Sequence, residues 1–398
     1  MFITSMQEFT PLEGIKADRP FSVRLIFEDN HNWDVFCHLN NANIRDVERA
    51  EVQKMLTCKD GSRGFFVYYC ENCNHTEIVY FGCNSRLCSN CGKNYTDKWS
   101  KSLRNAMFEV PHRHIVLSVS DMLWGFMKEQ RDLLKVLMDS AIQAINDTYS
   151  HFLRKHVTAG AIVVLHPFSR DLSFKPHIHV LVTEGGFDKK GNFYPKKFIP
   201  ARALRKTWQY QVLTRFKEAL PKTLEISALI DYLFHKYDGF YAYLPKESRI
   251  TSIRQITKYV GRYVRHPAIA NTRISGYDGE NVTFWYFDNK NQKHHRTLKI
   301  FEFIKSLIQH VPERQFKMIR YYGAYSRKWK RKYAHFLKQR SITQTTLAQF
   351  SQRWCPKCPE CGSPMEFALY CKKAPPKVEH FGATIEDWFF ICQNFNIQ

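Results

Sequence analysis

The chain has 398 residues, of which 44% are apolar and 15% aromatic. This composition supports about two or three packed domains and excludes a mainly disordered protein. Lys and Arg number 59 against 37 Asp and Glu, a net charge of +22, which favours a polyanionic partner. The longest apolar runs, such as Ala161 to Leu165, are far shorter than the roughly 20 residues of a membrane span. The first residues show no secretory pattern, so we expect a cytoplasmic protein whose cysteines are thiols or metal ligands.

The predicted elements begin after a region, residues 1–62, whose fold the pattern does not assign, and a cysteine-rich module over 63–104. Residues 105–270 alternate between strand and helix patterns. The strands are predicted over 111–119, 159–166, 177–183 and 239–244, and the helices over 121–156, 202–220 and 251–264. The short connection between the second and third strands predicts antiparallel neighbours. We therefore expect an α+β fold with a mainly antiparallel sheet flanked by helices.

The C-terminal part of the chain is predicted to be basic and then rich in cysteine. Within residues 271–345, Asp278-Gly279 marks a turn before a β-hairpin of 282–287 with 297–300. A helical, strongly basic segment is predicted to follow, up to about residue 340. Residues 346–398 form a cysteine-rich tail.

Five cysteines lie between Cys70 and Cys91, and four of them form two Cys-x2-Cys pairs. Two such pairs can place four thiolates tetrahedrally around one zinc ion, and four thiolates leave no open position for a substrate. The spacing therefore predicts a structural zinc site. Its predicted ligands are Cys70, Cys73, Cys88 and Cys91, with Cys83 and His75 as substitutes for one of them.

A second cysteine cluster lies in the C-terminal tail. Its three closely spaced thiols and a fourth thiol ten residues on suit a second zinc ion but leave the ligand set open. The candidates are Cys355, Cys358, Cys361 and Cys371, with His380 and Cys392 as further donors. Cys37 and Cys58 stand apart and are interpreted as core or surface thiols.

The segment His177-Ile178-His179 lies in an apolar strand pattern. Residues two apart on a strand point to the same face, so both imidazoles project together while Ile178 points into the core. Two imidazoles on one face are half of a metal site. His166 ends the preceding predicted strand, and an antiparallel hairpin would bring it near the pair. The alternative third donors are His112, His114, Gln209 and Gln211.

Tyr259 and Tyr263 are four residues apart in a helical pattern, so their phenols share one face. The cations Lys258, Arg262 and Arg265 flank them. A phenol ordinarily has a pKa of about 10, but nearby cations favour the phenolate, and a metal ion can polarise a phosphate that it attacks. The alternative interpretation is a pair of aromatic residues on a core stripe.

The order of the histidine–apolar–histidine (HUH) motif and the two tyrosines resembles the HUH single-strand endonucleases. The match is closer to the rolling-circle transposases of the insertion sequence ninety-one family, and it covers residues 63–325. The segments that carry it are 70–75, 85–91, 164–167, 175–182, 258–263, 273–274, 277–279, 282–284 and 318–323.

This resemblance implies a DNA transposase of an insertion sequence with an HUH endonuclease-like domain over 105–270. It implies that His177, His179 and His166 hold a divalent ion, Mg²⁺ or Mn²⁺, although imidazoles suit Mn²⁺ or zinc better than Mg²⁺. It implies that Tyr259 or Tyr263 attacks the phosphorus, forming a 5′-phosphotyrosine and releasing a 3′-OH that later serves in strand transfer.

We expect the DNA to be single-stranded at the reacting site and to consist of element-end sequences or hairpins. Cations that track phosphates and aromatic rings that stack on unpaired bases are typical of such surfaces. The predicted DNA-binding residues are Lys258, Arg262, Arg265, Arg320, Arg327, Lys328 and Trp329. The chain has no phosphate-cradling Gly-Lys-Ser/Thr loop, so a host helicase or the replication machinery is expected to unwind the DNA. The protein is expected at the nucleoid when it is bound to DNA.

Two other functions are compatible with these motifs. A plasmid rolling-circle replication initiator or relaxase would use the same HUH chemistry for a different element. A non-catalytic, zinc-containing regulator would bind nucleic acid without cleaving it.

Overall fold

The computed structural model describes residues 21–92, 94–95, 98, 103, 107–197, 199–244, 268–288, 290–330, 332–333 and 356–371. The α-helices of these residues are α1 (Val23–Glu28), α2 (Asn32–Asn40), α3 (Asp46–Leu56), α4 (Trp124–Glu129), α5 (Leu133–Leu153), α6 (Ala201–Ala219), α7 (Leu224–Lys236), α8 (Ile300–Ile308) and α9 (Arg327–Lys330). None of these helices is long and apolar enough to cross a membrane.

The strands and single-turn helices complete the described part of the chain. The strands are β1 (Phe65–Tyr69), β2 (Thr76–Tyr80), β3 (His112–Ser118), β4 (Ala161–Phe168), β5 (Phe174–Thr183), β6 (Gly185–Phe187), β7 (Phe193–Pro195), β8 (Ala242–Tyr243), β9 (Ile274–Tyr277), β10 (Asn281–Phe287), β11 (Lys293–Lys299), β12 (Ile319–Tyr322) and β13 (Glu366–Cys371). The 3₁₀ turns are Asp29–His31, Asn41–Asn43, Gly61–Arg63, Asp121–Leu123, Asn271–Arg273 and Gly323–Tyr325.

A five-stranded sheet in the order β12-β4-β5-β3-β8 forms the centre of the molecule. Each neighbouring pair is antiparallel, including β4 with β5. Helices α5 and α6 pack on one face of this sheet, where Trp208 is fully buried and donates its indole N–H to the Ser118 carbonyl at 2.9 Å. The predicted α+β fold with an antiparallel sheet flanked by helices is confirmed, as are the predicted strands over 111–119, 159–166 and 177–183.

Strand β4 is apolar at successive positions because both of its faces are covered. Val163 and Leu165 belong to the core under α5 and α6, whereas Ile162 and Val164 belong to a second core on the other face. That second core contains Phe108, Phe187, Tyr325 and Tyr333, which come from before β3, from β6 and from the chain after β12. The central strands are therefore held between two apolar layers.

Several predicted elements differ in extent from the structure. The predicted helix over 121–156 is divided into α4 and α5, since the chain turns at residues 130–132. Helix α7 was not predicted, although Thr223 caps it by accepting a hydrogen bond from the Ile226 N–H at 3.2 Å. The predicted helix over 251–264 lies outside the described residues.

The basic segment after α8 is not a continuous helix. Residues 319–322 form β12, which pairs with β4 at the edge of the central sheet. Within the described part of this segment, only 327–330 are α-helical. The β-branched and aromatic residues of Ile319–Tyr322 suit a strand, and pairing with β4 outweighs the helix propensity of the surrounding Lys and Arg.

The N-terminal helices α1–α3 form a second unit with later residues, from β9 to α8. Strands β9, β10 and β11 form an antiparallel meander whose inner face packs with α8 against α1, α2 and α3. Phe284 is fully buried in this core and lies 6.1 Å from Phe303, ring centroid to centroid. The predicted hairpin is confirmed, but Asp278-Gly279 joins β9 to β10, and β11 begins earlier, at Lys293.

A third, smaller sheet has the order β13-β1-β2. Strands β1 and β2 form a hairpin, and β13 comes from the C-terminal part of the chain and pairs antiparallel with β1. The cysteine-rich N-terminal module and the C-terminal tail thus contribute strands to one sheet.

Replacing Phe284 with Ala should lower the free energy of unfolding by about 3–5 kcal/mol, because the cavity opens in the core that joins α1–α3 to the meander. Phe287→Ala is the matched control, since Phe287 lies in the same strand and is 37% exposed; its cost should stay within about 1 kcal/mol. Urea unfolding followed by tryptophan fluorescence measures both. Equal costs for the two variants would contradict the placement of the core on the Phe284 face.

Candidate functional site

Three histidines meet on one face of the central sheet. In the β4–β5 register His166 lies directly opposite His177, and His179 follows two residues later on the same face. The ring centroids of His166 and His177 are 5.2 Å apart, those of His166 and His179 are 4.5 Å apart, and those of His177 and His179 are 5.2 Å apart. One nitrogen of each ring lies within 4.8 Å of the others. The structure therefore brings together the three residues that were predicted as a metal-binding group.

Backbone and side-chain contacts orient two of these rings. The Nδ1 of His177 lies 2.8 Å from the Lys175 carbonyl oxygen, a contact in which Nδ1–H must donate, so Nε2 carries the lone pair. The Nδ1 of His179 lies 2.9 Å from Nε2 of His114, and the planes of these two rings are within 12° of parallel. Groups that hold the second nitrogen of an imidazole fix its tautomer and orientation in metal sites. His114 therefore serves to position His179.

The electrostatic environment keeps the imidazoles neutral. Burial lowers the pKa of His177 and lowers the pKa of His179 well below its ordinary range, and the neighbouring imidazoles lower the pKa of His179 further. Burial also lowers the pKa of His114 to about 4. Neutral imidazole is the form that binds metal ions, so the group is ready for a cation at neutral pH.

The remaining predicted third donors are engaged elsewhere. His112 lies 2.6 Å from the hydroxyl of Tyr325, on the same face of the sheet but outside the three-histidine group. Gln209 donates to the Leu233 carbonyl, and Gln211 donates to Asp147. Both glutamines lie on α6, which covers the opposite face of the sheet. Of the residues proposed as third donor, only His166 is in the group.

The predicted nucleophiles Tyr259 and Tyr263 lie outside the described residues. The same holds for the cations predicted beside them, Lys258, Arg262 and Arg265. Their roles therefore remain predictions from the sequence.

The other predicted DNA-binding residues divide between the two faces of the sheet. Arg327, Lys328 and Trp329 are exposed on α9, close to the second core that the histidine face carries. Lys328 and Lys332 place their ammonium groups 5.6 and 5.3 Å from the Trp329 ring. Arg320, in β12, instead pairs with Val163 of β4. This register puts the Arg320 side chain on the face of the sheet covered by α5 and α6.

Eight cysteines of the described residues form two groups at opposite ends of the β1–β2 hairpin. The first, which we call the proximal cysteine group, consists of Cys58, Cys83, Cys88 and Cys91. Its sulfurs approach closely, with Cys58 Sγ 3.6 Å from Cys88 Sγ and 3.7 Å from Cys91 Sγ. A Cβ at Gly82 would lie 2.8 Å from Cys91 Sγ, so this close approach requires glycine there.

The second, which we call the bridging cysteine group, consists of Cys70, Cys73, Cys358 and Cys361. Four thiolates around zinc, with Zn–S bonds of about 2.3 Å, have sulfurs about 3.8 Å apart. The sulfur atoms within each group lie within 4.8 Å of one another. Both groups therefore fit a structural zinc ion.

The structure does not bring together the four thiols of the predicted single site. Cys70 and Cys73 lie in the turn of the β1–β2 hairpin, whereas Cys88 and Cys91 follow β2 at the other end. A five-residue strand separates the two ends by about 17 Å. The interpretation of Cys58 as an isolated thiol is wrong. Because Cys58 precedes β1, it lies with Cys83 at the end of the hairpin away from the turn.

The cysteines of the C-terminal tail have different positions. Cys358 and Cys361 belong to the bridging cysteine group, while Cys355 lies outside the described residues. Cys371 is buried opposite Phe65, at the end of β1 away from the hairpin turn, so it is not part of the bridging group. His75 is not a member of either group, and its Nε2 lies 3.6 Å from Glu77.

Comparison with known proteins gives the chain two family matches. Residues 160–333 match the family described as "Putative transposase", and residues 29–119 match the transposase zinc-binding domain.

Two relatives align over most of their length. The transposase for insertion sequence element IS801 of Pseudomonas savastanoi pv. phaseolicola is 30% identical over 78% of this chain and 78% of its own length. "Putative transposase y4qJ" of Sinorhizobium fredii is 24% identical over 71% of this chain and 75% of its own length. Among solved structures, the N-terminal origin-recognition/nickase domain of human bocavirus non-structural protein 1 is 13% identical. The match covers 60% of this chain and 98% of that domain, with a TM-score of 0.26.

The buried His112 should make the fold sensitive to acid. Burial lowers its pKa from 6.5 to about 4, so the unfolded chain binds the proton more readily. The contribution of the neutral His112 to the free energy of unfolding is fully present above pH 6.5. It falls by about 3 kcal/mol as the pH falls towards 4. His112→Gln keeps an acceptor for Tyr325 but cannot titrate, so its free energy of unfolding should fall less over this range.

Urea unfolding at several pH values measures this difference. His38→Gln, at an exposed position, is the control and should follow the unmodified chain. Identical pH dependences for the His112 variant and the unmodified chain would contradict the burial effect.

Proposed function

The chain belongs to the transposases of the insertion sequence ninety-one family, and on this basis we propose that it cleaves and rejoins single-stranded DNA through a phosphotyrosine intermediate. The family membership rests on the two domain matches and on the relative named as the transposase of IS801. It makes DNA the partner and agrees with the net charge of +22. Rolling-circle transposition, with one strand transferred at a time, is the mode that we propose.

The observation that carries the proposed chemistry is the group of His166, His177 and His179, whose nitrogens converge within 4.8 Å. The donor set is three imidazoles, one of them oriented by His114. These residues would hold one divalent ion, for which Mn²⁺ and Mg²⁺ are the candidates. Such an ion, when bound, neutralises charge on the scissile phosphate and polarises it.

The nucleophile that we propose is the phenolate oxygen of Tyr259 or Tyr263. It attacks phosphorus, the bond from phosphorus to the 3′-oxygen breaks, and that oxygen takes a proton to become a 3′-OH. The 5′-phosphate remains on the tyrosine, so the energy of the phosphodiester is kept in the covalent linkage. A 3′-OH of another strand can then attack the same phosphorus and release the tyrosine, so rejoining needs no nucleotide cofactor.

The second tyrosine supports the rolling-circle mode. With one phenol covalently joined to a 5′ end, the other can cleave a second strand before the first is released. Lys258, Arg262 and Arg265 are proposed to favour the phenolate and to hold the flanking phosphates. The exposed Trp329, with Lys328 and Lys332 beside its ring, is proposed to stack on an unpaired base.

The family match favours an insertion-sequence transposase over a plasmid initiator or relaxase, because both aligned relatives are named as transposases. A non-catalytic regulator would need none of the convergent histidines. We propose that a host helicase or the replication machinery unwinds the DNA.

The double change Tyr259→Phe with Tyr263→Phe should abolish the covalent protein–DNA adduct, because phenylalanine has no nucleophilic oxygen. The assay incubates purified protein with single-stranded oligonucleotides of the element ends and Mn²⁺ or Mg²⁺, and detects adducts that resist denaturant. Tyr210→Phe is the matched control, as this tyrosine is 57% exposed on α6, beyond the far face of the sheet. An adduct in the double variant would exclude both nucleophiles.

The double change His177→Ala with His179→Ala should reduce cleavage to background while leaving oligonucleotide binding largely intact. The imidazoles are proposed to act on the reacting phosphate, whereas the basic surface provides most of the affinity. Cleavage is measured on labelled oligonucleotides and binding by fluorescence anisotropy. His235→Ala, at an exposed position on α7, should retain both. Cleavage that survives in the double variant would rule out the metal assignment.

A further inference from the structure

Two stretches far apart in the chain fold into the same cysteine knuckle. The carbonyl of Cys70 accepts a hydrogen bond from the Asn74 N–H at 2.8 Å, and the carbonyl of Cys358 accepts one from the Gly362 N–H at 2.9 Å. In each stretch the N–H of the first cysteine donates to the carbonyl five residues further on, at 2.8 Å in both. Asn74 and Gly362 have positive φ angles of 58° and 74°, which asparagine and glycine tolerate best. Each knuckle therefore directs its two sulfurs to one point.

The two knuckles direct their sulfurs to the same point. Cys70 Sγ lies 3.5 Å from Cys361 Sγ, and Cys73 Sγ lies 3.5 Å from Cys358 Sγ. These contacts are much longer than a disulfide bond of about 2.05 Å and are close to the edge of a zinc–thiolate tetrahedron, about 3.8 Å. All four sulfurs approach one another within 4.8 Å, which a pair of disulfides does not require.

The surroundings of the bridging cysteine group are built from both ends of the chain. Strand β13 follows the second knuckle and runs back along β1, with Glu366 opposite Tyr69. Cys70 and Cys358 pack with Tyr68 and Met365 in a small buried cluster. The backbone pairing and the apolar contacts thus hold the two knuckles face to face.

We propose that the bridging cysteine group binds its own zinc ion, in addition to the zinc ion of the proximal cysteine group. The zinc-binding domain that matches a known family spans residues 29–119, so Cys358 and Cys361 are ligands from outside that domain. This second zinc ion fastens residues 356–371 to the N-terminal module. The chain then carries two structural zinc ions, one local and one that joins distant parts of the sequence.

The bridging zinc ion closes a very long loop. Cys73 and Cys358 are 285 residues apart, and the central sheet with its three histidines lies between them. The entropic cost of closing a loop grows only slowly with its length, so a metal ion can hold such a closure when strand pairing assists it. The position of the C-terminal segment on the N-terminal module therefore depends on zinc. This inference does not depend on the cleavage chemistry proposed above.

The test is the zinc content of the full chain, measured by elemental analysis after dialysis against a weak chelator. We expect two zinc ions per chain in the unmodified protein and one in the Cys358→Ser/Cys361→Ser double variant. Limited proteolysis provides a second readout. After cleavage between the central sheet and residue 356, the C-terminal fragment should remain associated with the unmodified protein during gel filtration and should separate from the double variant.

Two further variants distinguish a lost ligand from general unfolding. Cys371→Ala removes a buried thiol of β13, which lies opposite Phe65 at the end of β1 away from the bridging cysteine group. This variant should keep two zinc ions and the associated fragment. Cys88→Ser with Cys91→Ser should also fall to one zinc ion but keep the fragment associated. One zinc ion per chain in the unmodified protein, or two in the Cys358→Ser/Cys361→Ser variant, would overturn the proposal.

Discussion

The antiparallel register of β4 and β5 is the constraint on which the candidate site depends. Because His166 lies opposite His177, and His179 shares its face, three imidazoles converge without any loop having to carry them. A shift of one residue in that pairing would move the histidines of one strand to the opposite face. Two apolar layers prevent the shift, since Ile178 and Val180 are buried under the helices while Leu181 belongs to the second core. The packing of both cores therefore fixes which residues face the site.

The same sheet supplies the residues that support the site. His114 reaches His179 from β3, the strand on the other side of β5, so each neighbour of β5 contributes one histidine. On the same face, His112 is held by Tyr325, whose segment also leads to the exposed Trp329. The basic, aromatic end of this segment is thus fixed to the face that carries the histidines. Arg320 lies on the opposite face because alternate residues of β12 point in opposite directions.

Local patterns in the sequence predicted most of the sheet and the histidine group. A period of two residues identified β3, runs of β-branched and apolar residues identified β4 and β5, and the short connection between β4 and β5 predicted their pairing. Helix α7 was missed although its threonine cap and apolar spacing are visible in the sequence. The edge strand β12 was mistaken for helix because its pairing with β4 is a tertiary effect. The tyrosine helix is a prediction that the described residues do not address.

The cysteine groups could not be predicted from spacing alone. Two Cys-x2-Cys pairs close in sequence suggested one zinc site, but β2 lies between them and places them at opposite ends of the β1–β2 hairpin. Cys83 and Cys58, which stands alone in the sequence, complete the proximal cysteine group. A knuckle 285 residues away completes the bridging cysteine group. Only the hairpin geometry and the pairing of β13 with β1 identify these partners. The Asn or Gly after each knuckle is the one local signal that relates Cys70-x2-Cys73 to Cys358-x2-Cys361.

The central claim is that His166, His177 and His179 bind one divalent ion together. Pulsed electron paramagnetic resonance of Mn²⁺ added to the zinc-loaded full chain counts the nitrogens bound to the ion. We expect three imidazole nitrogens in the unmodified protein and two in His166→Ala. A spectrum without nitrogen coupling, or one that His166→Ala leaves unchanged, would contradict the claim.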